Sequence, residues 1–383
     1  MAGQDRIVIV DGARTPIGSF GGVLKDVPAH ELGAAAVREA LVRAGVEATD
    51  IESIVMGCIG QVGPDAYNAR RVGVAAGLPM ATPALTVNRL CGSGLQAIWS
   101  AAQEMRWNGL GLAVAGGDES MSRMPFYDFG ARAGYRLGDR PLVDSGRHMG
   151  ITAENVAAKY GVSRAEQDEF ALRSQQLAAT EAARAAFAEE IVPVTLPGRR
   201  PVVVETDQHP KPETTLEVLG GLRAAFQEGG SVTAGNASGI NDGAAAVVLA
   251  QEAVVQERGL TGLVTLEAVA TAAMEPELMG YAPTPALAAL WKRTGLSPKD
   301  IGTFEVNEAF ASQAVAVVRD AGLDLDRVNP YGGAIALGHP VGATGAILTL
   351  RAAKDMVRRD LEFGVVTMCI GGGQALAALL KRY

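Results

Sequence analysis

Ala44-Gly45-Val46-Glu47-Ala48-Thr49-Asp50-Ile51 and Thr294-Gly295-Leu296-Ser297-Pro298-Lys299-Asp300-Ile301 read as two versions of one segment. Each follows an apolar stretch of helical spacing and precedes a strand-like run. The likeness continues in the same order along the chain. Val87-Asn88 before a glycine-rich turn recurs as Val328-Asn329 before another, and Leu112 to Gly117 has a counterpart in Val365 to Gly372. A short fixed period would indicate a solenoid. Two copies this far apart indicate two related halves.

The residues around these segments give the class of the halves. Arg6-Ile7-Val8-Ile9-Val10 reads as a buried strand that stops at Asp11-Gly12. Leu32, Ala36, Val37, Ala40, Leu41 and Ala44 follow helical spacing, with Gly45 as the stop. Ile51 to Met56 reads as a strand, Gly94 to Ala102 as a helix, and Leu112 to Ala115 as a strand ended by Gly116-Gly117. Alternating strand and helix is the signature of α/β layering. Between the halves, 121–240 does not repeat. It carries a helix start at Ser163 with Glu166 as capping-box partner, helical periodicity from Phe170 to Phe187, and a turn-rich run from Val192 to Pro212. The expected division is an N-terminal half over 1–120 completed by 241–262, an inserted loop domain over 121–240 carrying substrate contacts, and a C-terminal half over 263–383.

Composition narrows the function classes. Glycine is abundant, 47 of 383 residues, in short runs beside apolar segments, which points to tight turns and close backbone approaches. A net charge of −8 argues against a nucleic-acid partner. No run of 18 or more apolar residues is present, so no membrane span is expected. Neither a secretory leader pattern at the start nor a Ser-Lys-Leu address at the end is seen, and a cytoplasmic location is expected. Cys58, Cys91 and Cys369 lie far apart, without the spacing of a zinc ribbon or a disulfide scaffold, which suits a reducing compartment. The four histidines show no helical metal-site spacing, and no metal is expected.

Four stretches carry candidate chemistry. In Asn88-Arg89-Leu90-Cys91-Gly92-Ser93-Gly94 the thiol stands at a predicted helix start, where free N–H groups can favour thiolate and hold an oxyanion. The plainer account is a small buried thiol. Gly338-His339-Pro340-Val341-Gly342-Ala343-Thr344-Gly345 holds a histidine rigidly with little steric cover, a setting for a general base or for a simple turn histidine. Cys369-Ile370-Gly371-Gly372-Gly373 places a second thiol at a strand end beside a glycine turn whose amides can donate. Val306-Asn307-Glu308-Ala309-Phe310 puts a polar pair at a strand end, to orient water or a carbonyl or to cap the next helix.

Taken together, and with Thr233-Ala234-Gly235-Asn236-Ala237-Ser238-Gly239-Ile240-Asn241-Asp242-Gly243-Ala244, these motifs resemble those of the thiolases over nearly the whole chain. The resemblance implies a thiolase fold of two α/β halves in an αβαβα layering. It also implies acetyl-CoA C-acetyltransferase chemistry: thiolytic cleavage of 3-ketoacyl-CoA and the reverse condensation of two acetyl-CoA. By the same resemblance Cys91 is the acylated nucleophile activated by His339, and Cys369 is the acid/base thiol. His339 with a water held by Asn307 forms one oxyanion hole, and the amides of Cys91 and Gly371 form the other. Ser238 meets the pantetheine arm, and His148 and Met149 line the acyl end with Met279 and Phe310. Acetyl-CoA, acetoacetyl-CoA and free CoA are substrates, so no separate cofactor is implied, and the family assembles as homodimers or homotetramers.

Two departures from the family pattern stand out. Asp207-Gln208-His209-Pro210-Lys211 replaces a family Asp-Glu-x-Pro-Arg, so Lys211 keeps the charge of the nucleotide-contacting residue without the planar fork. The segment between Asp144 and Arg147 is shorter than in the short-chain biosynthetic type, which bears on acyl-chain length, a broader-chain degradative enzyme being the alternative. A decarboxylating ketoacyl synthase would lack Cys369, and a non-catalytic lipid-carrier relative would lack one of Cys91, His339 or Cys369.

Overall fold

The computed structural model describes residues 6–124 and 149–383. The first half runs β1 (Ile7–Arg14), β2 (Gly18–Ser19), α1 (Ala29–Ala44), β3 (Ser53–Gly57), α2 (Asn68–Ala76), β4 (Ala84–Val87), α3 (Ser93–Asn108) and β5 (Leu112–Ser120). Next come α4 (Met149–Tyr160), α5 (Arg164–Ala178), α6 (Glu181–Glu190), the hairpin of β6 (Val194–Leu196) and β7 (Val202–Val204), and α7 (Leu216–Gly220). β8 (Asn241–Gln251) then returns to the first sheet, and α8 (Glu252–Arg258) leads onward. The second half runs β9 (Val264–Ala273), α9 (Pro283–Thr294), β10 (Thr303–Val306), α10 (Ala311–Asp320), α11 (Ala334–Leu337), α12 (Thr344–Arg358), β11 (Phe363–Ile370) and β12 (Gln374–Arg382).

The repeat is visible in the pairing. β3 lies parallel to β4 and β5, and β5, β8 and β1 then alternate antiparallel. In the second half β10 lies parallel to β11, and β11, β12 and β9 alternate antiparallel. A single parallel bridge from Phe304 to Val328 stands where β3–β4 pairing stands in the first half. Among the described residues the halves join edge to edge through two residue pairs, Val8 with Thr265 and Ile9 with Val264.

Alternation along the strands sorts the side chains into layers, because successive residues face opposite sides of a sheet. Ile7 and Ile9 enter a central core with Val247, Leu249, Leu376 and Leu380, and α3 and α12 fill that core. Val8 and Val10 enter an outer core with α1. Leu379 and Ala377 enter the opposite outer core with α9. The order is therefore helix, sheet, helix, sheet, helix, as the αβαβα expectation requires.

Two expected strand ends were placed too early. β1 passes through Asp11-Gly12, and the register against β8 shifts between Ile9 and Asp11, so the Asp-Gly marks a bulge. β5 continues through Gly116-Gly117 to Ser120. A side chain at Gly116 would strike the Ala245 carbonyl of β8, and one at Gly117 would strike the Gly342 carbonyl. These glycines are close-approach positions inside a strand. The helical periodicity of 170–187 divides into α5 and α6, the second opened by Thr180, whose hydroxyl accepts from the Ala183 N–H. The capping box of Ser163 and Glu166 is present at the start of α5. No helix among the described residues is long and apolar enough to cross a membrane.

Candidate active site

Cys91 sits in a tight turn between β4 and α3. Leu90 adopts a left-handed conformation, φ 47°. The Asn88 side-chain oxygen accepts from the Leu90 N–H at 3.0 Å, and Ser93 Oγ accepts from the Arg89 N–H at 2.9 Å while donating to the Leu90 carbonyl at 2.7 Å. A β-strand, a pinned turn and a helix start thus present the sulfur. The N–H groups of Gly371 and of Cys91 itself point at it. Helix-start geometry suggested a lowered thiol pKa, but burial dominates and pushes it up to about 11, with the charge of Glu119 adding to the rise. At rest Cys91 is a protonated thiol and needs a base.

His339 follows Gly338, whose φ of 100° turns the chain into the site. The ring is buried, and burial lowers its pKa to about 4, so it is neutral at pH 7. Its backbone N–H is held by the Asn241 side chain at 2.9 Å. Its Nδ1 lies 2.6 Å from Thr344 Oγ1, which gives its own hydrogen to the Pro340 carbonyl at 2.9 Å. Thr344 therefore accepts from Nδ1–H, which leaves the Nε2 lone pair as the basic position. Asn307 Nδ2 stands 3.4 Å from that Nε2.

Asn307 is buried just past the end of β10, and its Oδ1 has no hydrogen-bond partner among the described residues. Capping does not account for the Asn-Glu pair, because Phe310 is the N-cap of α10. Glu308 instead receives Ser174 Oγ at 2.6 Å, Asn329 Nδ2 at 2.8 Å and the Ile335 N–H at 3.2 Å. It ties the Asn307 strand end to the segment leading to His339.

Cys369 lies near the end of β11 and is 1% exposed. Burial pushes its thiol up, and the neighbouring Cys91 pushes it further. Gly371, in the turn after β11, supplies the N–H aimed at Cys91. Cys369 shares one apolar cluster with Met279, Phe310, Ala309, Ala237 and Ala153, and Met149 and Phe226 pack against it. The Phe226 and Phe310 rings meet edge to face at 6.1 Å.

The structure thus gathers Cys91, His339, Asn307, Cys369 and Gly371, with Met149, Met279 and Phe310 beside Cys369. Ser238 is half-buried, its N–H on the Ala309 carbonyl at 3.0 Å, and the adjacent Ala237 pairs with Phe310. Lys211 is exposed, tied to α5 through its backbone N–H and Gln175 Oε1 at 2.8 Å. Asp207, at the other end of the motif, belongs to the scaffold and takes a two-pronged contact from buried Arg14 at 2.7 and 2.9 Å. His148 and the 144–147 segment lie outside the described residues.

Sequence reasoning missed Thr344, Phe226, Glu308 as a bracket, and Glu119. Thr344 stood inside the quoted histidine motif and was readable as the ring's partner. Phe226 carried no local signal, since only the fold brings it to Phe310.

The likeness to known proteins runs over nearly the whole chain. The thiolase N-terminal domain family matches residues 7–253 and the thiolase C-terminal domain family matches 260–382. The chain is 48% identical to the Beta-ketothiolase BktB of Cupriavidus necator and 44% identical to the Acetyl-CoA acetyltransferase of the same organism; each comparison covers 98% of this chain and 99% of the relative. Among solved structures, the Bacillus anthracis acetyl-CoA acetyltransferase superposes with a TM-score of 0.94 at 39% identity over 100% of both chains. The human mitochondrial 3-ketoacyl-CoA thiolase in complex with CoA superposes with a TM-score of 0.92 at 39% identity, over 99% of this chain and 98% of that one. With both domain families matched in order and full-length relatives at 44% and 48% identity, this chain belongs to the thiolases.

Proposed function

We propose that this protein is an acyltransferase that cleaves 3-ketoacyl-CoA by thiolysis and, in reverse, condenses two acetyl-CoA to acetoacetyl-CoA through an acyl-Cys91 intermediate. The convergence of the two thiols, with Cys91 close enough to raise the cost of ionising Cys369 and with Gly371, two residues past Cys369, turning its N–H toward Cys91, is the observation that carries this reading. Two thiols permit one to hold the acyl group while the other moves the proton on the carbon that attacks it. His339 Nε2 takes the proton of Cys91 in the first half-reaction. Once protonated there, it can donate to the thioester oxygen together with a water held by Asn307, while the Cys91 and Gly371 amides stabilise the oxyanion formed at the acylated sulfur. Cys369, buried and protonated at rest, gives its proton to the departing α-carbon in thiolysis; in condensation it first gives that proton to the departing CoA sulfur and then takes one from the α-carbon of the second acetyl-CoA.

Coenzyme A thioesters are the substrates in this reading, with Ser238 on the pantetheine arm, Lys211 near the phosphate end, and His148, Met149, Met279 and Phe310 around the acyl group. The relatives' names differ in acyl group and agree in chemistry. The apolar packing of Met149, Met279, Phe226 and Phe310 around Cys369 favours a short chain. We further propose a homodimer or homotetramer, supported by the edge strand β4 with exposed Leu85 and the exposed Tyr67, Val74 and Met80 nearby, and a cytosolic location, supported by the unpaired cysteines.

Thiolytic kcat/KM on acetoacetyl-CoA against longer 3-ketoacyl-CoAs tests the assignment. The short substrate is expected to win, and a preference for eight carbons or more identifies the broader degradative enzyme instead. Cys369→Ala is expected to take up radioactive acetyl from acetyl-CoA but not to condense. Absence of labelled enzyme in that variant would overturn the division of roles between the thiols.

A further inference from the structure

Glu119 lies outside the groups used above, yet it touches the loops that carry them. It stands near the end of β5 and is fully buried. Its Oε2 accepts from the Gly342 N–H at 2.9 Å and the Ile59 N–H at 3.2 Å, and its Oε1 accepts from the Gly60 N–H at 2.9 Å. Gly342 lies three residues past His339, whereas Ile59 and Gly60 belong to the loop after β3. One carboxylate therefore joins the histidine loop of the second half to a loop of the first. The space there is nearly closed, since a side chain at Gly342 would come within 2.9 Å of the Gly57 carbonyl and 2.7 Å of Glu119 Oε2.

We propose that Glu119 is a positioning residue for the acyl transfer, clamping the His339 loop against the loop after β3 through its ionised carboxylate. The inference rests on the thiolase reading and adds a residue to it. An ionised carboxylate accepts all three N–H groups as strong, charge-assisted bonds, whereas a protonated one accepts them weakly and turns an O–H into the cluster. The clamp therefore loosens as Glu119 takes up a proton. Burial, partly offset by the three N–H groups, raises its pKa to about 7, which brings that change into the working range.

Among the described residues, the titratable groups around it come from several elements. Asp118 is its neighbour on β5, and burial favours the neutral form of that carboxyl. Cys58 in the loop after β3 has its sulfur 3.9 Å from Glu119 Oε1. Asp65 in the turn Gly63–Asp65 adds negative charge and is held by His30 of α1. Asn68 of α2 is bonded to Asp118. Asp242 on the adjoining β8 is engaged by Ser122, and Cys91 at the start of α3 feels the Glu119 charge. None of these supplies a cation to hold Glu119 ionised.

The test is the single-turnover rate of Cys91 acetylation by acetyl-CoA between pH 5.5 and 8.5, with melting temperature recorded alongside. Wild type is expected to lose rate on an acid limb centred near pH 7, well above the limb of His339. Glu119→Gln is expected to be ~10- to 100-fold slower, mainly in kcat, because a small misplacement of a base costs that much; its profile over this range is expected to be flat. Glu119→Asp keeps the charge and is expected to retain the limb at reduced rate, which covers the case in which the amide variant does not fold. A Glu119→Gln protein with wild-type rate, or one that is slow but keeps the limb, overturns the proposal, as does a wild type without the limb. A wild type that takes no acetyl group at any pH overturns the thiolase reading itself, so the two failures are distinct.

Discussion

The two halves share a scaffold and differ in what their strand ends hold. Ser53 faces Ala113 across β3 and β5 as Thr303 faces Gly364 across β10 and β11. Counting forward from those pairs, Asp118 in the first half occupies the place of Cys369 in the second. Past the first of these strands, Cys58 follows Gly57 at the end of β3, whereas Asn307 and Glu308 follow Val306 at the end of β10. The next turns diverge as well. Val87 leads within a few residues through Cys91 into α3, while Val328 leads through α11 and the His339 loop before α12 begins. One copy keeps a short turn and presents the nucleophile. The other has lengthened its turn and presents the base, and it places the second thiol where its sister buries an acid. A duplicated frame thus yields a complementary site only because equivalent positions carry different chemistry.

The sharpest way to break that comparison is at the lengthened turn. His339→Ala is expected to reduce acetylation of Cys91 by ~10²- to 10⁴-fold, as loss of a general base does. Thr344→Val leaves the ring but removes its Nδ1 acceptor, and a smaller loss of about tenfold is expected from a misoriented imidazole. Equal rates in His339→Ala and wild type, measured by rapid quench, would remove the second half's turn from the chemistry.

A smaller effect separates the two repeat segments themselves. Ser297 caps the turn Pro298–Asp300, with its N–H and Oγ on Asp300 Oδ2 at 2.8 and 2.7 Å, whereas Glu47 before Ala48–Asp50 makes no side-chain cap. Ser297→Ala is expected to cost about 1 kcal/mol by urea unfolding. Glu47→Ala is expected to fall within about 0.5 kcal/mol of wild type, as exposed positions do. Equal losses would mean that the two turns are held in the same way after all.

The smallest expected effect lies at the position equivalent to Cys369. Burial pushes the Asp118 carboxyl well above the usual carboxylate range, which favours its neutral form, so Asp118→Asn is expected nearly to reproduce its shape and charge. Activity within about threefold of wild type is expected. The sign of the pH effect follows from the raised folded pKa, since the native state holds this proton after the unfolded chain has lost it. Wild-type stability relative to Asp118→Asn should therefore fall as pH rises from 4 toward neutrality. A relative stability that rises over that range would show the acid to be ionised in the fold.

Much of this frame was legible before any coordinates. The repeated segments, the strand–helix alternation and the capping box at Ser163 are local patterns, and local patterns fix local structure. Cys91, His339 and Cys369 were findable as reactive side chains beside glycines, and Asn307 as half of a polar pair that interrupts an apolar run. The misplaced strand ends at Asp11-Gly12 and Gly116-Gly117 have one cause. Glycine reads as a stop in sequence, but here it makes room for β8 and for Gly342, which lie far along the chain. The thiol of Cys91 was misjudged for a related reason. A helix start is a local feature, whereas the burial that outweighs it is set by residues from both halves. Glu119 and Phe226 were invisible because their partners are remote in sequence.

The placement of β8 has a consequence for synthesis. β1 pairs with β8 along almost its whole length, from Ile7 with Gln251 to Arg14 with Ala245, so the first sheet lacks its inner partner until the entire insertion has been translated. At roughly 5–20 residues per second, that leaves β1 waiting on the order of 10–50 s with an apolar edge unpaired. An emerging chain in that interval is a natural client for a chaperone, and pausing the ribosome before Asn241 should lengthen its stay there.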